Sequence, residues 1–161
     1  MPIIKSISGI RGTLGEKPGE GLDPLLIVQY CLAYATWLKR NRKSQRINVV
    51  VGRDGRVSGE VLESLVVSTL RAAGIDVVKT GHTTTPTVEM AVIFAKADGG
   101  IILTASHNPA NWNALKFFNE KGEFISPETG RILLKMVETS DFEMAAEHEL
   151  GTKKVNHNYL K

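Results

Sequence analysis

Three times in this chain an oxygen-bearing side chain stands directly before a proline that opens an apolar, helix-spaced stripe: Asp23-Pro24, Thr85-Pro86 and Ser126-Pro127. A cap oxygen accepts one of the backbone N–H groups that a helix start leaves free, and proline at the first helical position has no N–H to lose. The stripes that follow are Val28, Cys31, Leu32, Ala35 and Leu38; then Val88, Ala91, Val92 and Ala95; then Ile132, Leu133, Met136 and Val137. Spacings of three and four residues place each set on one helical face. A fourth helix is expected from Ser58, with Leu62, Leu65, Val66, Thr69 and Leu70 facing inward and Gly74 as a left-handed C-cap.

Short β-branched runs bounded by Gly, Asp or Asn separate these helices, at 47–51, 77–80, 101–104 and 115–118, with a shorter one at 3–7. Such runs read as buried strands, and strands alternating with helices give an α/β layer fold. The expectation is an α/β protein, a three-layer α/β/α sandwich around a mixed, mostly parallel sheet. Crossovers between parallel neighbours should be right-handed. Residues 1–140 are expected to form this domain. Residues 141–161 are polar and read as a linker running into the start of a second domain.

Composition narrows the function classes. Cys31 is the only cysteine, which excludes a disulfide framework or a cysteine-based metal site within the chain. It falls among apolar helix positions and reads as core. The cations Lys39, Arg40, Arg42, Lys43 and Arg46 read as the exposed end of the first helix and its following loop, where positive charge complements the helix dipole. No aromatics interleave with them as base stacking requires, so nucleic-acid binding is not expected. The N-terminus lacks the grammar of a secretory signal, and no apolar run is long enough to span a membrane. A reduced, cytoplasmic setting is the expectation.

The chemistry-bearing residues sit in polar segments at the strand ends, where open α/β sheets bind ligands. Thr104-Ala105-Ser106-His107-Asn108-Pro109 follows Ile101-Ile102-Leu103 directly. A serine at a strand tip, with His107 and Asn108 beside it, suits a nucleophile on a rigid base, although Ser, Asn and Pro are equally common in plain turns. Lys116 reads either as a functional cation or as a strand-edge lysine that blunts pairing. In Ser8-Gly9-Ile10-Arg11-Gly12 the glycines could simply shape a turn with Arg11 solvated. In Gly52-Arg53-Asp54-Gly55-Arg56, Arg53 and Asp54 are expected to pair with each other and fasten the loop after Val51.

Taken together, these segments resemble the α-D-phosphohexomutases, the family of phosphoglucomutase, phosphomannomutase and phosphoglucosamine mutase. Thr104-Ala105-Ser106-His107-Asn108-Pro109 is similar to that family's phosphoserine loop. Asn113-Ala114-Leu115-Lys116-Phe117 follows at the family's spacing, Ser8-Gly9-Ile10-Arg11-Gly12 is similar to its N-terminal loop, and 52–56 with Ser58-Gly59 to a further segment. The matches keep the family's order from Lys5 to about Val137. They depart at Lys5-Ser6-Ile7, where the family usually reads Phe-Gly-Thr, and at Ala114, where a glycine is common.

The resemblance implies that Ser106 carries a phosphate to the sugar and takes one back through a bisphosphate intermediate. It implies that Arg11 and Lys116 stabilise the transferring phosphoryl group, and that His107 assists catalysis and helps order the loop. Ser8, Gly9 and Asn108 would contact substrate. The family's Asp-Gly-Asp-x-Asp segment for magnesium does not occur in these residues, so only a phosphate on Ser106 could ligate Mg2+ here. The expected setting is one domain of a longer phosphohexomutase, with hexose 1,6-bisphosphate as activator and a hexose phosphate as substrate. The phosphoglucomutase or phosphomannomutase type is favoured, and phosphoglucosamine mutase is the alternative. A phosphatase-like hydrolase and a non-catalytic domain binding sugar phosphates or another protein are the competing readings.

Overall fold

The computed structural model describes residues 3–6, 8–42 and 45–157. Its elements run β1 (Ile3–Ser6), β2 (Gly9–Thr13), α1 (Pro24–Asn41), β3 (Asn48–Arg53), α2 (Gly59–Ala72) and β4 (Asp76–His82). They continue with α3 (Thr85–Phe94), β5 (Gly99–Leu103), β6 (Trp112–Phe118), α4 (Pro127–Thr139), a 3-10 turn (Glu147–Glu149) and β7 (Lys153–Val155). The strands form a single sheet in the order β1-β2-β6-β5-β3-β4-β7. Pairing is parallel from β5 through β3 and β4 to β7, and antiparallel from β5 through β6 and β2 to β1.

Side-chain alternation along the strands divides the core in two. Val49, Val51, Val77, Ile101, Leu103, Leu115 and Phe117 face α1, α2 and α4, and pack with Ile27, Cys31, Leu38, Leu62, Val66, Leu70 and Leu133. Val50, Val78, Ile102 and Phe118 face the other way, against Val88, Ala91 and Val92 of α3. Helices on both faces of one mixed sheet make the three-layer α/β/α sandwich expected from the sequence. Tyr34 of α1 ties the middle together. Its buried hydroxyl donates to the Phe118 carbonyl at 2.7 Å and accepts from the Gly100 N–H at 3.0 Å. That pins β5 against β6, the hairpin carrying the loop that matters below.

The helix starts follow the cap-and-proline grammar with one shift. Asp23 accepts from the Leu26 N–H at 2.8 Å and Ser126 from the Thr129 N–H at 3.1 Å. At α3 the cap is Thr84 rather than Thr85, accepting from the Thr87 N–H at 3.3 Å. Proline is tolerated one position further in, because the first several N–H groups of a helix lack partners anyway. Ser58 precedes α2 without capping it; its Oγ accepts from Asn113 Nδ2 at 2.9 Å instead. Of the expected inward stripe on α4, Ile132 is exposed.

Two strands lie where the sequence shows none. Ser8-Gly9-Ile10-Arg11-Gly12 is not a turn, because 9–13 form β2 between β1 and β6. Gly9 is needed there for closeness: a Cβ would run into the Leu115 backbone carbonyl. β7 extends the sheet at β4, and its three residues are all exposed. Among the basic residues at the end of α1 and after it, Arg40 pairs with Asp141, Arg42 with Asp98 and Glu120, and Arg46 with Asp76. Lys43 and Ile7 fall outside the described residues.

Candidate functional site

β5 ends at Leu103 and β6 begins at Trp112, so the intervening loop leaves the sheet at the carboxyl end of its parallel strands. Within it Ser106 has φ +53°, in the left-handed region. For a residue with a Cβ this costs about 1–2 kcal/mol, so the surroundings must hold it. Thr104 Oγ1 supplies part of the hold. It accepts from the Ser106 N–H at 3.2 Å and donates to Asp54 Oδ2 at 2.7 Å. The Asn108 N–H closes a turn on the Ala105 carbonyl at 3.0 Å.

One cation reaches this serine, and a second lies on the same face of the adjacent strand. Lys116 Nζ lies 3.3 Å from Ser106 Oγ. It also sits over the Phe124 ring, 6.0 Å from the centroid, a contact that steers the ammonium. Register places Arg11 opposite Ala114 and Gly9 opposite Lys116. Directly opposed residues share a face, so Arg11 and Lys116 form a diagonal pair on the same side of the sheet, with backbone positions about 7–8 Å apart. Arg11 is exposed there, and neither cation is drawn into the core.

The other expected site residues take different places. His107 is exposed beside Ser106, and Asn108 is half-buried. Ser8 and Gly9 contribute through the backbone: the Ser8 carbonyl accepts from the Phe117 N–H at 2.9 Å, and Gly9 lets β2 lie close to β6. Asn113, fully buried, donates to Ser58 Oγ and holds the start of β6 against the start of α2.

Arg53 and Asp54 do not pair through their side chains. The Arg53 guanidinium turns toward Glu63 at 3.5 Å, and Glu63 is shared with Lys79 at 3.1 Å. The Asp54 carboxylate instead meets Thr104 and Arg56. Parity explains the split: Arg53 is the last residue of β3 and projects toward α2, while Asp54 is already in the turn. Arg56, to which the sequence assigns no role, is the most heavily bonded side chain at the site. Its guanidinium donates to the carbonyls of Ser106, Asn108, Pro109 and Trp112 at 3.0, 2.8, 2.7 and 3.1 Å. The signal that could have found it is the arginine two residues after Asp54. Its partners lie some fifty residues away, beyond any local pattern.

No group of three His, Cys, Asp or Glu side chains among the described residues could hold a metal ion. The donor set therefore does not make a self-contained magnesium site. What the arrangement offers is a serine hydroxyl at a fixed tip, a cation in contact with it, and a second cation on the same face. Those features suit a phosphoryl group, whose transfer relies on positioning and charge stabilisation.

Comparison with known proteins bears on the same segments. Residues 3–144 match the family described as phosphoglucomutase/phosphomannomutase, alpha/beta/alpha domain I. A probable phosphoglucosamine mutase of Pyrococcus abyssi is 38% identical over 147 residues, covering 91% of this chain and 30% of that protein. A phosphoglucomutase/phosphomannomutase of Thermococcus kodakarensis is 36% identical over 143 residues, covering 89% of this chain and 30% of that protein. Among solved structures, a putative phosphomannomutase from Thermus thermophilus superposes with a TM-score of 0.78 at 27% identity, over 97% of this chain and 33% of that one. The chain thus spans about a third of the length of the relatives it matches.

Proposed function

The chain belongs to the phosphoglucomutase/phosphomannomutase family as its α/β/α domain I, and from that premise we propose that it is the phosphoserine-bearing domain of a phosphohexomutase. Residues 1–140 would form the body of the domain, and 141–161, which add the edge strand β7 to its sheet, would lead on toward the further domains that the relatives' greater length provides. The observation that carries the reading is the contact of Lys116 Nζ with Ser106 Oγ at 3.3 Å, at a strand tip where Arg11 shares the sheet face.

In this reading the phosphoryl group on Ser106 Oγ passes to the free hydroxyl of a hexose monophosphate. The P–O bond to serine breaks as a P–O bond to the sugar forms, and the hydroxyl proton lost by the sugar is balanced by one gained at Ser106 Oγ. Lys116, 3.3 Å from Ser106 Oγ, would supply that proton or offset the charge on the leaving oxygen. Arg11 would face the non-bridging oxygens, and His107 and Asn108 the phosphate or sugar at the loop's outer side. Ser8 and Gly9 would border the substrate along β2. A second transfer, from the other position of the bisphosphate, restores the serine phosphate.

A phosphate monoester suits the resting state because it hydrolyses extremely slowly unaided. Magnesium would meet this domain only at the Ser106 phosphate oxygen, its preferred hard-oxygen donor, with its remaining ligands from elsewhere. Hexose 1,6-bisphosphate would prime the serine. The relatives' names divide between phosphoglucosamine mutase and phosphoglucomutase/phosphomannomutase, so the substrate is proposed as a hexose phosphate. A soluble metabolite of this kind fits a cytoplasmic enzyme.

The test uses the full-length enzyme carrying this domain. After incubation with hexose 1,6-bisphosphate, peptide mass spectrometry should find the phosphate on Ser106, and Ser106→Ala should lower turnover by orders of magnitude without unfolding the protein. Phosphate on another residue with Ser106 unmodified would sink the reading.

A further inference from the structure

Arg56 stands three residues past the end of β3, and its side chain is 13% exposed. A guanidinium has five N–H groups in a rigid fork. Here all five are used: Nη2 serves the Ser106 and Asn108 carbonyls, Nη1 those of Pro109 and Trp112, and Nε reaches Asp54 Oδ2 at 3.3 Å. Four carbonyls from seven consecutive residues are thereby gathered onto one side chain. The Asp54 carboxylate completes the fixture from the other end. It accepts from the Arg56 N–H at 3.0 Å and from Thr104 Oγ1, which in turn holds the Ser106 N–H.

Two consequences follow for the loop's outer side. Ser106 is held in its left-handed conformation from both directions, through its N–H by Thr104 and through its carbonyl by Arg56. Peptide planarity adds the second. In a trans peptide the C=O of one residue and the N–H of the next point opposite ways. Turning the Ser106 and Pro109 carbonyls inward therefore turns the His107 and Ala110 N–H groups outward. Neither N–H has an acceptor among the described residues. Outward-facing backbone N–H groups are natural donors to an anion.

We propose that Arg56 is a positioning residue for phosphoryl transfer at Ser106. It acts through the loop backbone, keeping Oγ at Lys116 and presenting the His107 and Ala110 N–H groups to the phosphoryl oxygens. The inference rests on Ser106 being the phosphate carrier. Its charge is not what matters, since Asp54 already pairs with it; the fork is. Lysine retains the charge but concentrates three donors at one point and cannot span four carbonyls.

Three variants of the full-length enzyme test this. Arg56→Lys should lower kcat about ten- to hundredfold, the scale of a misplaced reacting group, with KM for hexose 1-phosphate changed less than about threefold. In Arg56→Ala, added methylguanidinium should restore turnover, which a general loss of stability would not allow. Ser106→Ala serves as the control for the underlying reading. An Arg56→Lys enzyme within about twofold of wild-type kcat, beside an inactive Ser106→Ala, overturns the role of Arg56 and leaves the phosphate carrier standing. So does a loss of activity that follows the loss of folded protein and resists methylguanidinium. Should Ser106→Ala turn over normally, the carrier reading falls first and takes this inference with it.

Discussion

Lys116 contacts Ser106 and Arg11 lies on the same face of the neighbouring strand, so under the proposed function the two would do separable work. Lys116 touches Oγ, the atom proposed to change partners, whereas Arg11 lies diagonally across the β2–β6 seam. If both act mainly on charge that develops during transfer, replacing either by alanine in the full-length enzyme should lower kcat more than it raises KM. A loss of about a hundredfold or more in kcat is expected for removing one such donor. Steady-state kinetics with hexose 1-phosphate decides it: near wild-type kcat would return Lys116 to a strand lysine and Arg11 to a solvated one. The sequence singled out Ser106, Lys116 and Arg11 as candidates because each sits in a short segment whose residue types are distinctive, and the fold brings Lys116 to Ser106 with Arg11 on the same sheet face. It did not reveal Asp54 and Arg56 as supports of the loop. Their hydrogen bonds go chiefly to backbone carbonyls and to Thr104, and a backbone carbonyl has no residue signature. The pairing of Arg53 with Asp54 failed for a related reason, since adjacency in sequence says nothing of which way each side chain projects at a strand end.

The helices and the buried strands were readable because their signals are local: a cap oxygen beside a proline, an apolar run between turn residues. β2 and β7 lack such signals. β2 reads Gly-Ile-Arg-Gly-Thr, and its place is set by β6, about a hundred residues later. β7 is a short exposed edge strand carrying two lysines, a common way of protecting a sheet edge. The fastening of this edge suggests a pH-dependent test. Asp76, at the start of β4, accepts from the Thr152 N–H and hydroxyl just before β7, both at 2.8 Å, and from Arg46 at 2.6 Å. The Arg46 guanidinium, aided by Thr152 and opposed by partial burial, lowers the Asp76 pKa from its ordinary 3.8 to about 2. A carboxyl whose folded pKa is depressed stabilises the fold above its unfolded value, and that contribution is lost as pH falls through the folded one. The Asp76 contribution should therefore be whole above about pH 4 and fade toward pH 2. Because the arginine is 48% exposed, solvent screening limits it to about 1 kcal/mol. Melting temperatures of wild type and Asp76→Asn should thus differ near neutrality and converge toward pH 2. A difference that persists unchanged into acid would mean the carboxylate charge is not what fastens this edge.

At the scale of the whole molecule, one sheet with helices on both faces supplies a continuous core, yet Ser106, the proposed phosphate carrier, lies at its rim. The same topology accounts for both facts: parallel strands end together, and the loops beyond them are the natural place for a site. Folding alone and acting alone are then separate questions. The larger core cluster joins α1, α2 and α4 to five strands, and the smaller one joins α3 to four of the same sheet. The purified 161-residue chain is therefore expected to unfold in a single cooperative thermal transition. Turnover by the proposed mechanism would need more than Ser106, Lys116 and Arg11. No carboxylate cluster for a divalent cation exists among the described residues, and the relatives use about three times this length. Without groups that hold the sugar in line with the phosphoryl donor, the entropic advantage of a bound geometry is lost. The isolated chain should therefore not convert hexose 1-phosphate to hexose 6-phosphate, even with magnesium and hexose 1,6-bisphosphate present. Adding the remaining length of the relatives should restore conversion. Turnover by rigorously pure chain would show that this domain carries the whole reaction. A chain that melts without a cooperative transition would show instead that its outer surface depends on further domains for stability.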